Sequence, residues 1–185
     1  MRRRAVERGE CGGEQLSTAV LSIGSNVGDR LAHLQGCVDR LRDTVRAVSA
    51  VYQAVPWGPV PQEDYYNAVL LVTDDRTGPR GWLELAWAVE AAAGRLRRPG
   101  QPYPKGEVRW GPRTLDVDVI TVDDVRSADP ELTLPHPRAH ERAFVLVPWA
   151  EVDPGAVLPG RGPVAELVLQ VDVTGVHRRP DLELS

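Results

Sequence analysis

Apolar positions along this chain fall into runs and stripes that separate strands from helices. Ala19-Val20-Leu21-Ser22-Ile23 is a nearly continuous apolar run of strand length, which predicts a first, central strand. It enters the turn Gly24-Ser25-Asn26-Val27-Gly28-Asp29, where Asn26 or Asp29 would cap the next helix. Leu31, Leu34, Val38, Leu41 and Val45 then recur at three- and four-residue spacing, one apolar helical stripe. Cys37 falls on that stripe and His33 off it. A second strand is predicted over 47–55 and a third over 65–72. Between them, Pro56-Trp57-Gly58-Pro59-Val60-Pro61 excludes a regular element. A second helix spans 79–94, with Pro79 near its start and Gly94 at its end. Its packing face is Leu85, Ala86, Val89 and Ala93. A fourth strand covers 114–122. Leu132 to Phe144 leads into the apolar run Val145-Leu146-Val147-Pro148-Trp149, and a Pro- and Gly-rich segment follows. A short helix over 164–171 and a last strand over 173–177 complete the pattern. Residues 1–17 carry no apolar period and are expected to be a disordered extension. Residues 178–185 are expected to be a solvated tail, and 18–177 one domain without internal repeats.

Composition narrows the function classes. With 185 residues and 42% hydrophobic content, the chain can bury a real core. A formal net charge of −4 offers no global attraction for nucleic acid, so a phosphate site must be built locally from arginine. Two cysteines, Cys11 and Cys37, form no disulfide framework or zinc cluster. No run is long and apolar enough to span a membrane, and Met1-Arg2-Arg3-Arg4 lacks the apolar segment of a signal peptide. A cytoplasmic enzyme or binding protein is the default, with neither nucleic acid nor membrane as partner.

The candidate chemistry centres on Arg109-Trp110-Gly111-Pro112-Arg113 and the strand behind it. Successive strand side chains alternate in direction, so Asp116 and Asp118 share one face while Val117 and Val119 point into a core. Two carboxylates about 7 Å apart can hold hard cations such as Mg²⁺, which takes one or two carboxylates plus water and phosphate oxygens. Arg109 and Arg113 are placed to neutralise phosphate. On the residues alone this is metal-assisted phosphoryl chemistry, or a strand whose two acids face water. The Gly-rich turn at 24–29 lacks the Lys-Ser/Thr ending of a P-loop and the spacing of a dinucleotide fingerprint. Asn67, set among apolar residues, needs partners for its amide; a heterocycle edge or neighbouring backbone would serve. Trp57 either walls an aromatic site or covers the core. The loop 99–106, with Lys105, can close over phosphates or be a surface insertion. His136, held between Pro135 and Pro137, is stiffly placed for ligand contact, and His140 has a weaker case.

These motifs together resemble the hydroxymethyl-dihydropterin pyrophosphokinase family of folate synthesis. The resemblance is carried by VLSIGSNVGDR, DYYNAV, RWGPRTLDVDVI and LPHPRAHERAFVLVPWAEV, in that order, over residues 18 to 160. It implies an α+β, ferredoxin-like sandwich, a mostly antiparallel sheet with helices packed on it. It implies transfer of diphosphate from ATP to the hydroxymethyl group of the reduced pterin, releasing AMP. By position, Asp116 and Asp118 resemble the ligands of two Mg²⁺ ions. Asp118 is also the candidate to take the hydroxyl proton. Arg95 and Arg113 resemble catalytic phosphate-binding arginines, and Trp110 a lid aromatic that meets both substrates. Glu90, Arg97, Ile120, Thr133, His136 and Arg142 match the nucleotide side. Ala54, Val55, Trp57, Tyr65, Asn67 and Phe144 match the pterin pocket, with Tyr65 and Phe144 as the rings flanking it. Two departures stand out. The loop between Arg97 and Trp110 is longer than usual, and Ala54-Val55-Pro56-Trp57 replaces a more polar start and a smaller aliphatic end. ATP and the pterin are the expected partners, with a monomer as the default. A binding module without chemistry and another Mg²⁺-dependent transferase are the competing classes.

Overall fold

In the computed structural model the described residues are 16–75, 77–95 and 111–185. Arg97, Arg98, Lys105, Arg109, Trp110 and most of the expected N-terminal extension, Cys11 included, lie outside them. In chain order the elements are β1 (Ser17–Ser25), α1 (Arg30–Leu41), β2 (Val45–Val48), β3 (Tyr52–Ala54), β4 (Tyr65–Asp74) and α2 (Pro79–Ala92). Then come β5 (Asp116–Val122), the hairpin β6 (Ser127–Asp129) and β7 (Leu132–Leu134), and a 3-10 turn at Ala139–Glu141. The chain finishes with α3 (Ala143–Val152), the hairpin β8 (Val157–Leu158) and β9 (Gly162–Pro163), α4 (Val164–Val168) and β10 (Val176–Arg178).

The main sheet runs β10-β3-β4-β1-β5, with β2 also on β4, and every pairing in it is antiparallel. With β2 and β3 as one interrupted strand, the order β1-α1-β2/β3-β4-α2-β5 is the β-α-β-β-α-β arrangement of ferredoxin-like folds. The interruption has a local cause. Between β2 and β3, the Ser49 amide donates to Val69 O at 3.0 Å, and the Ser49 hydroxyl accepts from the Val69 amide at 2.9 Å. A side-chain oxygen stands where a backbone carbonyl would, so the strand predicted over 47–55 breaks but stays on β4.

Asp29, not Asn26, caps α1: its carboxylate accepts from the Ala32 amide at 3.0 Å. The buried stripe is Leu34, Cys37, Val38 and Leu41. Val45, expected on that stripe, instead opens β2 opposite Val72. The amide and hydroxyl of Thr44 both donate to Leu41 O and close the helix first. On α2 the buried face is Trp82, Leu83, Ala86, Val89 and Glu90, with Leu85 and Ala93 only partly covered. The apolar run 145–149 is helical, with Val145, Leu146, Pro148 and Trp149 buried. His177 and Arg178, expected in or beside a tail, pair with Gln53 and Tyr52 in β10.

The two sheet faces differ. One carries Leu21, Ile23, Ala68, Leu70, Val72, Val117 and Val119, and packs on α1 and α2 as the main core. The other is apolar only at one end, where Val20, Val69 and Ile120 meet Val145, Leu146 and Trp149 of α3 and Val164 and Leu167 of α4. At its other end Ser22 and Gly24 lie between Val69 and Asn67 of β4 and Asp118 and Asp116 of β5. No helix covers that end among the described residues, and the candidate site occupies it.

Candidate active site

Asp116 and Asp118 emerge from one face of β5, as alternation requires, with side chains about a quarter exposed (25% and 27%). Each meets a different set of cations. Asp116 Oδ1 accepts from Arg95 Nη1 at 2.5 Å and from Arg113 Nη1 at 2.6 Å. Asp118 Oδ2 accepts from Arg142 Nη1 at 2.6 Å, with His136 Nε2 at 3.9 Å.

Arg95 is delivered by the end of α2. Gly94 takes φ +88°, a left-handed conformation that glycine adopts without strain. The Gly94 amide then donates to Ala91 O and the Arg95 amide to Glu90 O, the double bond pattern of a Schellman close. In place of an apolar contact across that motif there is an ion pair, Arg95 Nη1 to Glu90 Oε1 at 2.6 Å, with exposures of 2% and 0%. Glu90 Oε1 also accepts from the Val117 amide at 2.9 Å, an outward N–H of edge strand β5. Removing either partner of so buried a pair would strand a charge and cost about 3–5 kcal/mol. Glu90, expected at the nucleotide, therefore lies beneath the site and fixes Arg95 and β5 together.

Arg113 is held through its backbone. Its amide donates to Asn26 Oδ1 at 2.8 Å, and its carbonyl accepts from the Asn26 amide at 3.1 Å. Asn26 Nδ2 donates to Gln62 Oε1 and Glu63 O, so one residue, 5% exposed, ties three loops around the site. Burial lowers the Arg113 pKa, but the charge and hydrogen bond of Asp116 outweigh it, and the net shift is upward. His136 is placed by a bulge at Ile120, where the β1–β5 register slips: its amide donates to Ile120 O at 2.8 Å. The Ile120 side chain is fully buried in the core under α3, so this residue contributes a carbonyl and no wall. The Arg138 amide donates to His136 Nδ1 at 3.2 Å, which turns Nε2 toward Asp118. Burial is the main cause lowering the His136 pKa, against the opposing charge of Asp118.

These groups border a cavity of about 420 Å³. The structure brings Ala54, Val55, Trp57, Tyr65, Asn67, Arg95, Arg113, Asp116, Asp118, His136, Arg142 and Phe144 to its wall. Thr133 lines an adjoining cleft of about 230 Å³ that shares Asp118, Pro130, His136 and Pro137 with it. Arg97 and Trp110, expected here, lie outside the described residues. Four arginines against two aspartates make the cavity wall cationic in a chain of net charge −4. Trp57 and Phe144 meet edge to face at 6.5 Å and 69°, and the Arg138 guanidinium sits 4.1 Å over the Trp57 ring. Asn67 is 4% exposed, and its Nδ2 has no hydrogen-bond partner among the described residues. A Cβ on Gly24 would come within 2.9 Å of Asn67 Oδ1.

Wall residues absent from the sequence-based set are Ser22, Gly24, Gln62, Pro130, Pro137 and Arg138. Gly24 carried a usable signal, since glycine at a strand end marks close approach of another group. Arg138 had one too, beside His136 in a Pro-rich turn. Asn26 did not: its part rests on two distant loops.

A cationic pocket with paired carboxylates, on a ferredoxin-like sheet, defines a phosphate-handling α+β enzyme. Residues 20–154 match the model of the 7,8-dihydro-6-hydroxymethylpterin-pyrophosphokinase (HPPK) family, and the chain belongs to that family. It is 46% identical over 169 residues to a 2-amino-4-hydroxy-6-hydroxymethyldihydropteridine pyrophosphokinase of Mycobacterium bovis, covering 85% of each chain. A protein of the same name from Methylorubrum extorquens is 40% identical, over 88% of this chain and 99% of the relative. Among solved structures, wild-type HPPK-DHPS of Plasmodium falciparum with pteroate superposes with a TM-score of 0.63 at 11% identity. That match covers 84% of this chain and 44% of the larger one, and it shows the fold.

Proposed function

We infer that Asp116, Asp118, Arg95 and Arg113 are the catalytic groups of an ATP-dependent diphosphokinase acting on 6-hydroxymethyl-7,8-dihydropterin. The activity belongs to the family: the diphosphate of ATP passes to the hydroxymethyl oxygen, giving AMP and the pterin diphosphate for folate biosynthesis. Asn67 carries the acceptor side of this assignment. Asn67 lines a cavity whose wall is also cationic, and its buried amide donor has no hydrogen-bond partner among the described residues. An unpaired buried donor costs about 1–3 kcal/mol, a cost that a heterocycle acceptor removes. Tyr65 and Phe144 supply flat faces for the ring, with Ala54, Val55 and Trp57 closing the side. Thr133, His136 and Arg142 border the cleft and rim next to Asp118, where the nucleotide lies.

The donor set fits Mg²⁺. Among the described residues no group of three or more metal-type side chains exists. Two partly exposed carboxylates on one strand face are nevertheless what a hard cation needs when water and phosphate supply the remaining oxygens. Asp116 and Asp118 would hold two ions, and the metal supplies charge neutralisation along the triphosphate. Arg95 and Arg113 stand on Asp116, so their charge is fixed in place before the transferred group gains negative charge. His136 Nε2 faces the same region, 3.9 Å from Asp118 Oδ2. The test is product analysis: ATP, Mg²⁺ and the pterin should yield AMP, dependent on all three. ADP as product, or pterin binding by calorimetry without AMP, would overturn the assignment.

A further inference from the structure

We propose that the C-terminal strand β10 buttresses the acceptor pocket, and that Gly175 positions Val55 in its wall. This rests on the assignment of Val55 to the pterin side. Val55 follows β3, is 60% exposed and lines the cavity, and the segment after it has no regular structure up to β4. What fixes it is β10. The Val55 amide donates to Gly175 O at 3.3 Å, just beyond the Val176–Ala54 pair. Arg179 locks the strand down: its amide donates to Val51 O at 2.8 Å, and Nη1 donates to Gln53 Oε1 at 2.7 Å and Tyr66 Oη at 3.0 Å.

Gly175 lies against the wall itself. A Cβ there would stand 2.9 Å from Val55 Cγ2, and the next two nearest atoms, at 3.7 and 3.8 Å, are also Val55's. Its φ lies outside the left-handed region, so the backbone does not require glycine. The space for a methyl is taken by Val55, whose β-branched side chain is stiff about χ1. The place of Val55 at the cavity is therefore set by residue 175, at the start of a strand that supplies no wall residue of its own.

The experiment is steady-state kinetics on the full chain for G175A, V55A, their double variant and R179M, with thermal melts. G175A should raise KM for the pterin about fivefold and leave KM for ATP and Tm unchanged, since the methyl displaces one wall residue and no reacting group. On a V55A background the same change should add less than about twofold, because the atoms it displaces are gone. R179M, which adds no atom at the wall, should shift the pterin KM the same way. Equal rises in both KM values, or a pterin KM within twofold of wild type, would overturn the proposal. In the latter case pterin-dependent AMP release by the wild type would still uphold diphosphate transfer. A wild type without that release would remove both.

Discussion

The two faces of the central sheet are made by the same strands, and they are built to opposite ends. Leu21, Ile23, Leu70 and Val117 point one way into a layer closed by α1 and α2. Ser22, Gly24, Asn67, Asp116 and Asp118, on the alternate positions of the same strands, line the cavity on the other face. Alternation supplies both faces at once. What differs is the cover: α3 and α4 reach only as far as Val20, Val69 and Ile120. Beyond them the strands carry small and charged residues, because an apolar side chain there would stay wet. The chain concentrates its stability on one face and its chemistry at the uncovered end of the other.

That division can be broken or sharpened by substitution. The largest effect belongs to the carboxylates: D116A or D118A should each cut turnover about a thousandfold. Circular dichroism should still show a folded protein, and near-normal AMP release by either would dissolve the contrast. On the closed face, L70A should lower unfolding free energy by about 2–5 kcal/mol. Denaturant titration measures that loss, while turnover per folded molecule stays at the wild-type value. G24A sits where the faces meet the site, and its methyl would press on Asn67 Oδ1. It should raise the pterin KM about tenfold with ATP binding unaffected, read from initial rates.

The smallest effect is a pH dependence of the closed face. Burial, with Glu90 adding repulsion, raises the Cys37 thiol from its ordinary 9.0 to about 12. The folded state therefore keeps a proton that the unfolded chain releases above pH 9, and stability should fall as pH rises from 9 toward 12. Chemical denaturation at pH 8 and pH 10 should show the decline, and C37A should flatten it.

Much of this was legible in advance. The carboxylate pair, the central first strand and the stripe of α1 follow from two periodicities that act locally. The Schellman close at Gly94 was visible as a helix stop, yet not as the device that turns Arg95 onto Asp116. Where tertiary partners decide a residue's surroundings, the sequence was less legible. The Ile120 side chain lies in the core, because it shares the Asp118 face at the end that α3 covers, and its carbonyl accepts from the His136 amide. The burial of Glu90 as the counter-ion of Arg95 likewise needed the fold.

By itself the sequence determined the alternating strand face, the acids on it and the family motifs, because side-chain direction and chemistry are properties of a few adjacent residues. Only the tertiary structure decided that the arginines at 95, 113 and 142 converge on those two acids. It also decided that Asn26 ties three loops and that a C-terminal strand stands behind Val55. Those contacts join segments tens of residues apart, and no short window of sequence records which segments the closed sheet will bring together.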